Sequence, residues 1–276
     1  MTPLITPDEL LLLYKNDDVI LVDVSNSSDA FENYKRSHLE KAVFVDVNKD
    51  LATVGDPKFG GRHPLPSIKH FLKAISNIGI SERSHVVIYD NHCGANAAAR
   101  LWWMLRAIGH TKVQVLDGGF QNAIAKGFPT TDHINKSTPS KDYESSGWNL
   151  PFVTIDAVRK AIHEKSHLLI DVREKQRYDG ITEPIDLVAG HIPTAVNIPF
   201  RSNLDEAGNF RKPEDLRDLY RNMIGDKKSP EVIVYCGSGV TACHTLLAFE
   251  VAGLPVPNLY VGSWSEWSRN HPPSPG

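Results

Sequence analysis

One cysteine is set at the junction of two contrasting stretches. Val232–Tyr235 (VIVY) is an unbroken apolar run with β-branched members, the pattern of a buried strand. Cys236 follows at once, then Gly237-Ser238-Gly239, and from Val240 to Val251 Ala, Leu and Phe recur at helical spacing. A thiol between a strand end and a helix start meets inward-turned amide N–H groups and the positive end of the helix dipole. Both favour negative charge, so the expected species is a thiolate, which is a nucleophile. The two glycines let the backbone curl round the sulfur. A small buried cysteine before a turn is the plain alternative.

Such a loop needs a framework, and the rest of the chain supplies one. Its 276 residues are 41% hydrophobic and 23% charged, the composition of a soluble protein with one or two domains. A net charge of −3 gives no electrostatic case for nucleic acid, and no apolar run approaches membrane-spanning length. The N-terminus shows no basic region or small-residue cleavage site of a signal peptide. Cys93, Cys236 and Cys243 form neither a disulfide framework nor a metal-ligand cluster, and a reactive thiolate fits a reducing, cytoplasmic location.

Taken in order, Thr6-Pro7-Asp8-Glu9 is a capping box that starts a helix. Strands are expected at Val19–Val24, Val43–Val47, Val86–Tyr89 and Val113–Leu116, and helices at Ser67–Asn77 and Ala95–Ile108. Between them, Asn48–Pro66 is punctuated by Gly and Pro and reads as a loop. From Thr130 to Asn149 the sequence turns polar and loses its apolar period, as a linker does.

The pattern then restarts. Thr154 caps a helix, LLIDV (Leu168–Val172) matches LVDV with Asp171 on Asp23, and Gly190-His191 matches the segment at His38. VIVYC matches VVIYD, and LYVGSW (Leu259–Trp264) matches VLDGGF. Strands alternating with helices in each half predict an α/β fold, two similar domains each with a mostly parallel sheet flanked by helices. The expected boundaries are 1–135, a linker at 136–150, and 151–276. Where the second half has Cys236 the first has Asp90, which has no thiol, and Cys93 falls opposite Gly239 as a bystander. The first domain is therefore expected to be non-catalytic and to wall a cleft.

The loop CGSGVTAC resembles the active-site loop of the 3-mercaptopyruvate sulfurtransferases of the rhodanese superfamily, and the resemblance extends over nearly the whole chain. It implies tandem rhodanese-like domains and a catalytic Cys236, with Gly237, Gly239, Val240 and Thr241 of the loop around the bound donor. Related thiosulfate sulfurtransferases carry two basic residues where this chain has Gly237 and Ser238. Arg173, Arg177 and Arg201 flank strand ends, and Arg177 resembles the arginine that holds the anionic donor. Ser238 and His63 resemble a serine–histidine pair whose third member, an aspartate, falls at Asn48 here, with Asp50 as another possible support. A second arginine expected in the loop Ile181–Ala189 is absent. His38 and His191, recurring in both halves, read as architecture, and His244 has no assigned part.

The implied reaction moves sulfur from a small anionic donor, 3-mercaptopyruvate or thiosulfate, through a Cys236 persulfide to an acceptor. That acceptor is a small thiol, a thioredoxin-like protein or cyanide, and no metal or organic cofactor is required. The uncharged loop and the Ser238–His63 pair lean the expectation to mercaptopyruvate. A non-catalytic sulfur-sensing or binding module on the same fold is the alternative. A cysteine phosphatase or arsenate reductase would need an arginine at Ala242.

Overall fold

The computed structural model describes residues 1–141 and 143–271; Asp142 of the expected linker and residues 272–276 of the expected second domain lie outside them. The N-terminal half builds β1 (Leu4–Ile5), β2 (Val19–Asp23), β3 (His38–Leu39), β4 (Val43–Phe44), β5 (His85–Tyr89), β6 (Val113–Leu116) and β7 (Thr130–Thr131). The C-terminal half builds β8 (Phe152–Val153), β9 (Leu168–Asp171), β10 (Val196–Asn197), β11 (Val232–Tyr235) and β12 (Asn258–Tyr260). One five-stranded sheet runs β1-β6-β5-β2-β4, and the other, read from its far edge, runs β8-β12-β11-β9-β10. All neighbours within both sheets are parallel, and β3 with β7 makes a separate antiparallel pair.

The two halves share one strand order, and even the register repeats. Asp23 lies opposite Tyr89 between β2 and β5, and Asp171 lies opposite Tyr235 between β9 and β11. Tyr89 and Tyr235 each accept, at 3.1 Å, the backbone N–H of the residue that follows a histidine, Leu39 in one half and Ile192 in the other. The expected tandem α/β architecture is what the chain adopts.

Central strands read as continuous apolar runs because helices cover both faces of a parallel sheet. All four residues of β11 are buried, and so are eight of the ten residues of the helix Ala242–Val251 that follows the cysteine loop. A helix buried nearly all round has no polar stripe, which suits its place in a core. Phe249 on that helix is fully buried against Tyr220, ring centroids 4.1 Å apart, and truncating it would cost about 3–5 kcal/mol.

Local signals set most element ends. Thr6 closes its capping box in both directions, accepting from Glu9 N–H at 3.2 Å while its own N–H donates to Glu9 at 2.8 Å. Two expectations need correction. The strand expected at Val43–Val47 stops at Phe44, because the Asp46 carboxylate accepts from Asn48 and Lys49 N–H and caps the short helix Val47–Asp50. The helix expected from Val240 begins at Ala242. Its preceding carbonyls bond three residues ahead, Val240 to Cys243 at 3.1 Å and Thr241 to His244 at 3.0 Å, as in a tight 3₁₀ entry.

The chain forms two compact units that are not consecutive blocks. One comprises Met1–Leu51, Pro66–Leu150 and Glu206–Phe210; the other comprises Ala52–Leu65, Pro151–Asp205 and Arg211–Gly276. Within the first unit the polar stretch after Phe128 is tied down: β7 pairs with β3, Ser140 Oγ donates to Ile80 O at 2.7 Å, and Asn149 N–H donates to Ala107 O at 2.6 Å. Within the second unit, the arm Ala52–Leu65 packs beside the cysteine loop.

Candidate active site

Cys236 sits where β11 ends, only 3% exposed. Its N–H donates to Ser263 Oγ at 3.2 Å, and its carbonyl accepts from Trp264 N–H at 3.0 Å. Gly237 O accepts from Ser265 N–H at 2.9 Å, so the helix Ser263–Asn270 buttresses the loop along its outer edge. Gly239 turns the chain with φ +73°, and a Cβ there would lie 2.3 Å from Val261 O, so only glycine fits. Val240 is buried and Thr241 is the residue before the helix.

The arm delivers the next group. Gly60 N–H donates to Glu266 Oε1 at 2.8 Å, Arg62 N–H to Ser265 Oγ at 2.9 Å, and Asn270 Nδ2 to Lys58 O at 2.9 Å. Gly61, φ +80°, lets the arm approach so closely that a Cβ would stand 2.4 Å from Gly262 O. These contacts bring His63 to Ser238, Nδ1 to Oγ at 2.8 Å. The two residues paired by the resemblance are thus in contact. Asn48 and Asp50 belong to the other unit, where Asp50 accepts from Asp46 N–H at 2.8 Å and burial raises its pKa.

Two guanidinium groups border the loop. Arg177, on the short helix Lys175–Tyr178, donates from Nη2 to Glu183 Oε1 at 2.6 Å and from Nε to Glu183 Oε2 at 3.3 Å. A Cβ at position 237 would lie 3.5 Å from each of its terminal nitrogens and 3.1 Å from Nη2 of Arg62. Nothing in the sequence marks Arg62 beyond its place next to His63. Arg62 Nη1 donates to Asp186, whose carboxylate also receives Arg269 Nη1 at 3.0 Å.

The other arginines have different work. Arg173 is buried on Asp171, Glu183 and the Gly190 carbonyl; burial pulls its pKa down, and the two carboxylates more than reverse that. Arg201 is exposed and pairs with Glu174. His244 lies in the core, with Nδ1 accepting from Asn203 Nδ2 at 3.2 Å, and burial drives its pKa down to about 3. His38 and His191 each donate from Nδ1 to a tyrosine carbonyl, Tyr34 at 2.6 Å and Tyr178 at 2.8 Å, and stack on that tyrosine's ring. They are architecture in both halves.

The corresponding loop of the first unit is occupied by its own side chain. Asp90, fully buried, accepts four backbone N–H bonds: His92 at 2.8 Å and Gly94 at 2.9 Å on Oδ1, and Asn96 and Ala98 at 3.1 Å on Oδ2. Cys93 there adopts φ +59°. Among the described residues no group of three or more His, Cys, Asp or Glu is placed to hold a metal ion, and no helix is long and apolar enough to cross a membrane.

Comparison with known proteins fits this geometry. The rhodanese-like domain model matches residues 6–126 and 154–270. The chain belongs to the rhodanese-like family. A probable 3-mercaptopyruvate sulfurtransferase of Pseudomonas aeruginosa is 35% identical over 269 residues, 96% of this chain and 94% of the relative. The thiosulfate sulfurtransferase of Rattus norvegicus is 37% identical over 249 residues, 88% and 82% of the two chains. A crystal structure of the Escherichia coli 3-mercaptopyruvate sulfotransferase aligns with TM-score 0.80 at 28% identity, covering 96% of this chain and 99% of that one. This rhodanese-like chain is a sulfurtransferase, and relatives named for either donor stand at similar identity.

Proposed function

We propose that this sulfurtransferase works by double displacement at Cys236, with Ser238 and His63 as a proton relay and Arg177 holding the donor's anionic end. The observation that carries the reading is the contact of His63 with Ser238 two residues beyond a buried cysteine at a strand end. The Cys236 thiolate attacks the transferable sulfur of the donor, forming an S–S bond. With thiosulfate the old S–S bond breaks and sulfite departs with its electron pair. With 3-mercaptopyruvate the C–S bond breaks, the pair passes to carbon, and the enolate of pyruvate must gain a proton.

Ser238 Oγ supplies that proton and His63 Nδ1 restores it, the donor's own thiol proton balancing the sum. The Cys236 persulfide is held by the loop's N–H groups, with Gly237, Gly239, Val240 and Thr241 shaping the pocket. Cyanide then takes the outer sulfur as thiocyanate, or a thiolate takes it as a persulfide, and the Cys236 thiolate returns. Covalent catalysis divides one transfer into two displacements. The relay is useful only to a carbon leaving group, which favours 3-mercaptopyruvate as donor. A small thiol or a thioredoxin-like protein in a reducing cytoplasm suits the second step. The first domain, with Asp90 at the matching place, carries no sulfur.

Steady-state kinetics with both donors side by side test this, together with mass spectrometry of the donor-treated protein. One added sulfur on the Cys236 peptide and a higher kcat/KM for 3-mercaptopyruvate are expected. Sulfur on another cysteine would refute the mechanism, and a thiosulfate preference would refute the donor.

A further inference from the structure

We propose that Arg62 is a donor-binding residue, bringing from the arm Ala52–Leu65 a second guanidinium to the space beside Gly237 that Arg177 also borders. The inference rests on the reading of Cys236 as the sulfur carrier. Arg62 Nη2 and both terminal nitrogens of Arg177 converge on one point beside Gly237, within 3.1 and 3.5 Å of where a Cβ would stand. Two forks from separate segments aimed at one spot next to a nucleophile suit an anion with two or three acceptor oxygens. A side chain at position 237 would intrude on that space, so the bare glycine and the two arginines form one arrangement.

The loop Ile181–Ala189 is acidic. Instead of an arginine it carries Glu183 and Asp186, which orient guanidinium groups brought from elsewhere. Asp186 takes Arg62 and Arg269 and lies 3.6 Å from Arg177 Nη2; Glu183 takes Arg177 and Arg173. Glu183 also accepts the N–H groups of Ile185 and Asp186, which fixes the loop's own shape. Four guanidinium charges (Arg62, Arg173, Arg177, Arg269) meet three carboxylates (Asp171, Glu183, Asp186), leaving one positive charge in excess.

Burial orders these charges in depth. The side chain of Asp186 is 0% exposed and that of Glu183 4%, whereas Arg62 is 22% and Arg177 17% exposed. An incoming anion therefore meets N–H donors first, with the carboxylates covered behind them. Arg62 is also preorganised, since its backbone N–H is held by Ser265 and its guanidinium by Asp186, so little ordering remains when a donor arrives.

The test compares wild type, Arg62→Gln and Arg62→Lys. KM and kcat are measured for 3-mercaptopyruvate and for thiosulfate, the Cys236 persulfide is followed by mass spectrometry, and sulfite binding is titrated calorimetrically without turnover. Arg62→Gln should raise KM for both donors about 10-fold or more and weaken sulfite binding in step, as loss of a bond to a charged group does, with kcat changed far less. The persulfide should still form at high donor. Arg62→Lys, which keeps the charge and the fold but loses the fork, should lie between. Sulfite affinity and KM within twofold of wild type for Arg62→Gln would overturn the proposal, as would an Arg62→Lys enzyme indistinguishable from wild type. A wild type that forms no Cys236 persulfide would overturn the mechanism instead, while the sulfite titration would still decide the part of Arg62.

Discussion

His63 Nδ1 stands 2.8 Å from Ser238 Oγ, a contact between residues 175 apart in the chain. The arm that makes it is fastened at Gly60, Arg62 and Lys58, so the residues just before His63 hold its imidazole against the loop. If the pair delivers a proton to a departing enolate, His63→Ala and Ser238→Ala should each slow 3-mercaptopyruvate turnover about 100-fold, within the usual span for general acid catalysis. Thiosulfate turnover, whose leaving group needs no proton, should change only a few-fold. Equal losses with both donors in steady-state assays would remove the relay.

Cys236→Ser should abolish transfer with every donor, because a hydroxyl neither ionises near neutral pH nor forms a persulfide. Cys243 is buried on its helix with Sγ donating to the Gly239 carbonyl at 3.4 Å, and Cys93 belongs to the first unit. Cys93→Ser and Cys243→Ser should each keep most activity. Mass spectra after donor treatment should show the added sulfur on the Cys236 peptide in both variants; its loss in the Cys93 variant would contradict this.

Arg177→Lys should lower kcat/KM by about 1.5–3 kcal/mol, roughly 10- to 150-fold, although the charge is kept. An ammonium cannot span both Glu183 oxygens and offer a second nitrogen to the donor. The loss should appear mainly in KM. Unchanged kinetics in Arg177→Ala for both donors would take this residue out of the site.

His244 makes a prediction about stability. Its folded pKa is about 3, lowered by burial, against about 6.5 in the unfolded chain. Between those values the unfolded state binds a proton that the folded state does not. The contribution of neutral His244 is therefore whole above about pH 6.5 and is lost as pH falls towards 3, at about 1.4 kcal/mol per unit. Denaturant titrations of wild type and His244→Gln from pH 7 to 4 should show the steeper decline in the wild type. Parallel slopes would show that this histidine is not held neutral.

What the sequence disclosed followed the range of each signal. The strand–cysteine–glycine junction is written in consecutive residues, so Val232–Tyr235 and Cys236 were legible, and the duplicated pattern exposed two similar halves with parallel sheets, though not their strand order. The same duplication marked His38 and His191 as architecture before their tyrosine partners were visible. His63 was legible only through likeness, because nothing local predicts a partner 175 residues away. Arg62 was not legible, since a charged residue in a Gly- and Pro-rich loop looks like any solvated one. Its place depends on hydrogen bonds to Ser265 and Asp186, which the order of the chain does not announce. The early end at Phe44 was hidden for a smaller reason: Asp46 could have been a strand residue, and its carboxylate capped a helix instead.

The four amides that grip Asp90 have a ligand that never leaves. A tethered carboxylate acts at an effective concentration that no dissolved anion matches, so the N-terminal loop is a saturated receptor at any salt or donor level. If Cys236 is the sulfur carrier, its loop is the one left open to anions, and titrations of this protein with small anions should report a stoichiometry of one.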